Sequence, residues 1–253
     1  MKQSKTKTKK KAATKSQAPS VEPERLSLLK RRLSQAIPEP ICELDHKNPW
    51  QLLIATILSA QSTDKKVNEV TPELFRQHPT PASLAAAPPA EIEVLVKSTG
   101  FFRNKTKSIQ GTSQRIVDEH GGELPQTLED LVKLPGVARK TANVVLGTAF
   151  RIPSGIVVDT HAGRVSRRLG FTEEADPKKL ERDLCALFAK KEWIDTGQRL
   201  VLHGRYVCLA RKPMCERCPL NEACPSREGD PEESLTQRIA WERGVVESRG
   251  NEA

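Results

Sequence analysis

The chain has 253 residues, a formal charge of +9, 37% apolar residues and only 4% aromatics. That length supports one large domain or two modest ones with a true core. No apolar run is long enough to span a bilayer, and the lysine-rich start lacks the apolar stretch of a signal peptide, which sets aside membrane-spanning and disulfide-framed secreted classes.

The charge is uneven. The first 18 residues carry +7 and the segment from Ser226 onward −3, which leaves +5 on the body. A basic body suits a polyanionic partner. Residues 1–22 show no apolar periodicity and are expected to form a disordered basic tail.

From Arg25 to Ala36, Leu26, Leu29 and Leu33 fall on one face of a short amphipathic helix that Pro38 and Pro40 end. Asn48-Pro49 opens the next helix, with proline where its missing N–H costs nothing. The run from Trp50 to Leu58 is apolar on nearly every side and belongs in the centre of a helical domain. Further helices are predicted at about 64–77, 89–98, 103–119, 127–133, 138–150, 160–169, 177–190 and 194–210, punctuated by prolines and glycines. Ile156-Val157-Val158 is strand-like but too short to build a sheet. The fold class is therefore all-α. The acidic, arginine-containing segment 227–253 reads as a loosely ordered tail.

Leu128–Phe150, LEDLVKLPGVARKTANVVLGTAF, reads as a short helix, a Pro-Gly turn and a longer helix. Gly136 permits a tight turn, and the second helix begins with backbone N–H groups that favour a phosphate. Such a helix-hairpin-helix docks on nucleic-acid backbone without reading sequence, although an ordinary αα-hairpin fits the residues equally well. Lys140 stands just inside the second helix, where the positive end of the dipole favours the neutral amine, the form that attacks as a nucleophile. Asp159 leaves the apolar run Ile156-Val157-Val158 and precedes Thr160-His161, so it can cap a helix or point into a cleft as a base or charge stabiliser.

Cys208, Cys215, Cys218 and Cys224 follow the spacing C-x6-C-x2-C-x5-C. Four thiolates at such spacing can wrap a zinc ion or an iron–sulfur cluster, and spacing alone does not choose between them. Cys42 and Cys185 stand apart as small buried hydrophobes. His203, on a helix, is assigned a structural role.

The ordered combination LPGVARKTANVVL, VVDTH and HGRYVCLARKPMCERCPLNEAC resembles the endonuclease III family of base-excision DNA glycosylases over about residues 25–225. The resemblance implies two helical lobes with a DNA cleft between them. One would be a helical-barrel lobe over 41–152, with the hairpin at about 128–150. The other would join 23–40 to 153–226 as the iron–sulfur lobe. It implies Lys140 as nucleophile with Asp159 as its partner, and one [4Fe-4S] cluster on the four cysteines. It implies removal of damaged, oxidised pyrimidines from double-stranded DNA and lyase cleavage at abasic sites. Contacts to DNA would come from Gln61, which fills the gap left by the flipped nucleotide, and from Phe101, the apolar wedge. Leu134, Gly136, Ala138 and Arg139 in the hairpin would add to them, with Arg211, Lys212 and Arg217 beside the cysteines. Ala138 departs from a glycine common in the family. His161 would line the site. A monomeric enzyme of the bacterial cytosol is the simplest fit. The rival from another class is a catalytically silent DNA-binding module that uses the hairpin as a clamp.

Overall fold

The structure, a computed structural model, describes residues 21–231 and 233–250, with side chains up to 248. The basic tail read over 1–22 lies, up to residue 20, outside the described residues. Among the described residues there are twelve α-helices and no strand. In chain order they are α1 Pro23–Ala36, α2 Pro49–Leu58, α3 Asp64–Gln77, α4 Pro81–Ala86, α5 Pro89–Val96, α6 Phe102–His120, α7 Leu128–Leu131, α8 Arg139–Phe150, α9 Thr160–Arg168, α10 Pro177–Leu187, α11 Trp193–Tyr206 and α12 Leu235–Gly250. None is long and apolar enough to cross a membrane.

Helix α2 is the hub of one core. Asn48 caps it by accepting a hydrogen bond from the Gln51 N–H at 2.9 Å, Pro49 opens it, and every residue from Trp50 to Leu58 is buried. It packs against α3, α6 and α8. Apolar residues from Leu44 to Val157 close around it. A second core joins Leu29, Leu33, Ala36 and Ile37 of the N-terminal segment to residues between Ile156 and Ala223, with Val246 of α12. The strand-like run crosses between the two cores. Ile156 enters the second, Val157 the first, and Val158 packs on the second again. Its period-two pattern serves two cores and pairs with no other strand.

Two elements differ from the sequence expectation. Helix α4 falls where the prolines suggested a loop. Pro81 takes its first position, and Thr80 and Ser83 form a reciprocal capping box, so the proline starts a helix here. The tail expected to be loose contains α12, docked on α1 and α11. Its inward face is Arg238, Glu242 and Val246, spaced four apart and all buried. Two charged residues in that stripe hide it from any hydropathy pattern.

Candidate active site and four-cysteine loop

The turn between α7 and α8 depends on Gly136. Its φ is +74°, and an added Cβ would lie 2.7 Å from the Ser108 Cβ. Ala138 caps α8 with no side-chain bond, so among the described residues the first N–H groups of that helix have no cap partner. Its φ of −85° suits any L-residue, so alanine in place of glycine leaves the turn undistorted. Gly136 and Ala138 are exposed, whereas Leu134 is buried in the first core and contributes only main chain to this surface.

Arg139 is exposed but is also held by a carboxylate. Its Nε and NH2 donate to the two carboxylate oxygens of Glu181 on α10 at 2.8 and 2.9 Å. Glu181, nearly buried, also accepts from Asn143 Nδ2 at 3.0 Å, and Asn143 accepts from the Ser154 hydroxyl at 2.9 Å. The start of α8 is thereby bolted to α10 immediately beside Lys140.

Lys140 is exposed on α8 and Asp159 is half-buried at the start of α9, where its Oδ1 accepts from the Ala162 N–H at 2.7 Å. Lysine and aspartate line one narrow cavity of about 60 Å³, together with Ser59, Val144, Val157 and Gln198. This cavity shares Glu43, Asp64 and Arg205 with a wider one of about 550 Å³, which Asp45, His161 and Tyr206 also line. Arg205 bonds Asp64 at 2.6 Å and also reaches Glu43, whose carboxylate takes the Tyr206 hydroxyl as well. Burial works against the charge of Arg205, but Asp64 and Glu43 outweigh it and raise its pKa above the usual guanidinium value. This ionic wall was missed in the sequence, although Asp64 lies three residues after Gln61 and Arg205 sits within HGRY. Cys42 lines the narrow cavity too, and burial pushes its thiol up to about 11, so it stays protonated at neutral pH. Burial likewise raises Cys185.

Gln61 and Phe101 share an unusual backbone. Both are exposed residues in the left-handed region, at φ +55° and +47°, and Phe101 keeps 64% of its surface in solvent. Lys105, buried behind Phe101, donates to the Thr99 carbonyl at 2.7 Å and braces that loop. Arg211 and Lys212 are exposed. Arg217, exposed as well, also meets the C-terminal segment, its guanidinium 5.4 Å from the Trp241 ring centre and 3.8 Å from Glu233.

Cys208, Cys215, Cys218 and Cys224 are reduced and half-buried, and all four line one cavity with His203, Val207 and Met214. Donors already face two of the sulfurs. Arg168 NH1 lies 3.3 Å from Cys208 Sγ, and the Leu220 N–H lies 3.4 Å from Cys218 Sγ. Burial raises the thiol pKa of Cys215 and Cys224, so a cation among them would supply what holds them as thiolates. Four convergent sulfurs with N–H donors are a donor set suited to a soft, thiolate-bound centre. Among the described residues, no three His, Cys, Asp or Glu side chains gather tightly enough to hold a single ion.

A family model described as HhH-GPD superfamily base excision DNA repair protein matches residues 54–190. The chain is 53% identical over 186 residues to an endonuclease III of Synechocystis sp., an alignment covering 74% of this chain and 85% of that one. A solved structure of a non-covalent endonuclease III–DNA complex superposes with a TM-score of 0.78 at 42% identity, over 82% of this chain and 97% of that one. A trapped endonuclease III–DNA covalent intermediate superposes equally well at 41% identity.

Proposed function

The chain belongs to the endonuclease III family of the HhH-GPD superfamily, and on that premise we propose that Lys140 is its nucleophile and Asp159 the partner that activates it. The protein is a base-excision DNA glycosylase with AP lyase activity on damaged pyrimidines. The observation that carries the residue assignment is the shared cavity, to which α8 brings an amine and α9 a carboxylate.

The damaged nucleotide is extruded from the duplex, and the wider cavity with its Glu43–Arg205–Asp64 wall lies beside the reacting groups to receive it. The neutral Lys140 amine attacks C1′ of the sugar and the base departs with the bonding electrons. The C1′–O4′ bond of the sugar then breaks, O4′ taking up a proton as it becomes a hydroxyl. The ring-opened iminium that results loses a proton from C2′ as the C3′–O bond breaks and the 3′ phosphate leaves by β-elimination. Asp159 accepts the proton that Lys140 gives up and faces the positive charge that develops on the sugar. A water nucleophile would stop at base removal, so the amine is what permits strand cleavage. Phe101 and Gln61, projecting on left-handed tips, are suited to fill the space that the extruded nucleotide vacates. Gly136, Ala138, Arg139, Arg211, Lys212 and Arg217 are the exposed candidates for backbone contacts.

Cys208, Cys215, Cys218 and Cys224 hold a [4Fe-4S] cluster in this reading. A single zinc would draw four sulfurs to about 2.3 Å from one point. Four thiol ligands lining one cavity, with N–H donors facing two of the sulfurs, support a soft, thiolate-bound centre, and the family resemblance favours iron. When bound, the group folds the loop that carries Arg211 and Lys212, and no step of the base-removal chemistry passes through it.

Borohydride reduction in the presence of abasic-site DNA tests the assignment. The wild-type protein is expected to form a covalent adduct that Lys140→Gln cannot form. An adduct of undiminished yield in that variant would falsify the role of Lys140.

A further inference from the structure

Among its contacts with the four-cysteine loop, helix α12 holds Cys218 from two sides. Arg238, 1% exposed, donates through NH1 to the Cys218 carbonyl at 2.6 Å and through Nε to the Glu233 carbonyl at 3.1 Å. Its NH2 meets the Glu222 carboxylate, which also takes Arg32 of α1. On the sulfur side, Glu242 Oε1 lies 2.6 Å from His203 Nδ1, and His203 Nε2 lies 3.7 Å from Cys218 Sγ. A metal-bound thiolate only accepts hydrogen bonds, so His203 must present an N–H to it. Glu242 fixes the ring in the orientation that does so.

This arrangement is an expensive way to dock a helix. Glu242 is fully buried, and its Oε2 has no partner among the described residues. An apolar pair would hold two helices together more cheaply. The charges make sense if they act on what Cys218 binds.

We propose that α12 is a clasp on the Cys218 corner of the metal centre, with Arg238 and Glu242 as positioning residues. Arg238 pins the ligand's main chain, and Glu242, through His203, sets the hydrogen bond to its sulfur. The clasp slows loss of the centre and adjusts its reduction potential. This rests on the [4Fe-4S] reading above.

The test uses the full chain carrying its cluster. Iron release to excess bathophenanthroline is followed by loss of the thiolate-to-iron absorbance, and the reduction potential is measured by voltammetry. Three variants are compared with wild type. Arg238→Lys removes the forked contact, and Glu242→Gln keeps the shape of the side chain while removing its charge. Arg243→Ala is the control, because Arg243 ties α12 to the Gln35 carbonyl of α1 at 2.8 Å without touching the cysteine loop. Arg238→Lys is expected to release iron about tenfold faster than wild type. Glu242→Gln is expected to shift the potential upward, since a negative charge behind the ligand has gone. Arg243→Ala should match wild type in both. Wild-type release from Arg238→Lys together with an unshifted potential in Glu242→Gln overturns the clasp, as does an equal effect from Arg243→Ala. If Arg238→Lys does not fold, the potential of Glu242→Gln decides alone. Wild-type protein without iron or its absorbance sinks the cluster reading, and the clasp with it.

Discussion

Arg139 and Glu181 form a two-pronged ion pair that joins the helix bearing Lys140 to α10, with N–O distances of 2.8 and 2.9 Å. The pair sits one residue from the proposed nucleophile. Gly155 passes so close that an added Cβ would lie 2.0 Å from Glu181 Oε1. Replacing Glu181 with Ala strips Arg139 and Asn143 of their shared acceptor. Arg139 is 44% exposed and water recovers part of its loss, so the cost rests mainly on Asn143 and amounts to about 2 kcal/mol. Denaturant melts check the stability. Single-turnover strand cleavage should slow in the same variant, because the start of α8 loses its anchor; an unchanged rate would remove Glu181 from the positioning of Lys140.

Gly136 is constrained twice, by its positive φ and by Ser108. Alanine there is expected to cost about 2 kcal/mol, which for a chain of this size lowers Tm by roughly 4–8 °C. Binding to undamaged duplex should weaken with it, since the turn presents the first N–H groups of α8. Thermal melts and titration of a fluorescent duplex measure the two effects. A Gly136→Ala protein that melts like wild type would show that the turn relaxes freely.

The helical class, the central burial of Trp50 to Leu58 and the hairpin were all legible because each rests on local pattern: apolar periodicity, a capping asparagine, a proline and a glycine. Lys140 and Asp159 are singled out as the proposed catalytic pair only as members of an ordered motif set, since each alone has an ordinary reading as a phosphate contact or a helix cap. What the sequence hid is long-range polar pairing. Glu181 lies 42 positions from Arg139, and Glu43 lies 162 from Arg205, so no local spacing announces either pair. The same blindness left the partners of Arg139 and Arg217 unread, and it left α12 unseen because its buried stripe contains Arg238 and Glu242.

Phe101 offers a separation of fold from function. Its ring is largely in solvent while its backbone sits in the left-handed region that glycine adopts without strain. Phe101→Gly relieves that strain and adds chain entropy to the unfolded state, two effects of about 1 kcal/mol that oppose each other. Stability is therefore expected to stay within about 1 kcal/mol of wild type. Affinity for lesion-containing duplex should drop roughly tenfold, the scale of one lost stacking contact. Melting curves and lesion-duplex titrations read the two quantities independently, and a variant with full affinity would end the wedge assignment.

Asp159 carries two duties that different substitutions pull apart. Its Oδ1 caps α9 through the Ala162 N–H, while the carboxylate lines the cavity with Lys140. Asparagine caps a helix about as well as aspartate, whereas alanine forfeits about 1 kcal/mol. Asp159→Asn should then melt like wild type, and Asp159→Ala a few degrees lower. Both lose the negative charge proposed to face the sugar cation and to accept the proton from Lys140. Each should cleave lesion-containing DNA about a hundredfold more slowly, the usual scale for removing one preorganised electrostatic group. The comparison rests on Asp159→Asn, whose cap is expected to survive. If it melts and cleaves like wild type, Asp159 is a cap and nothing more.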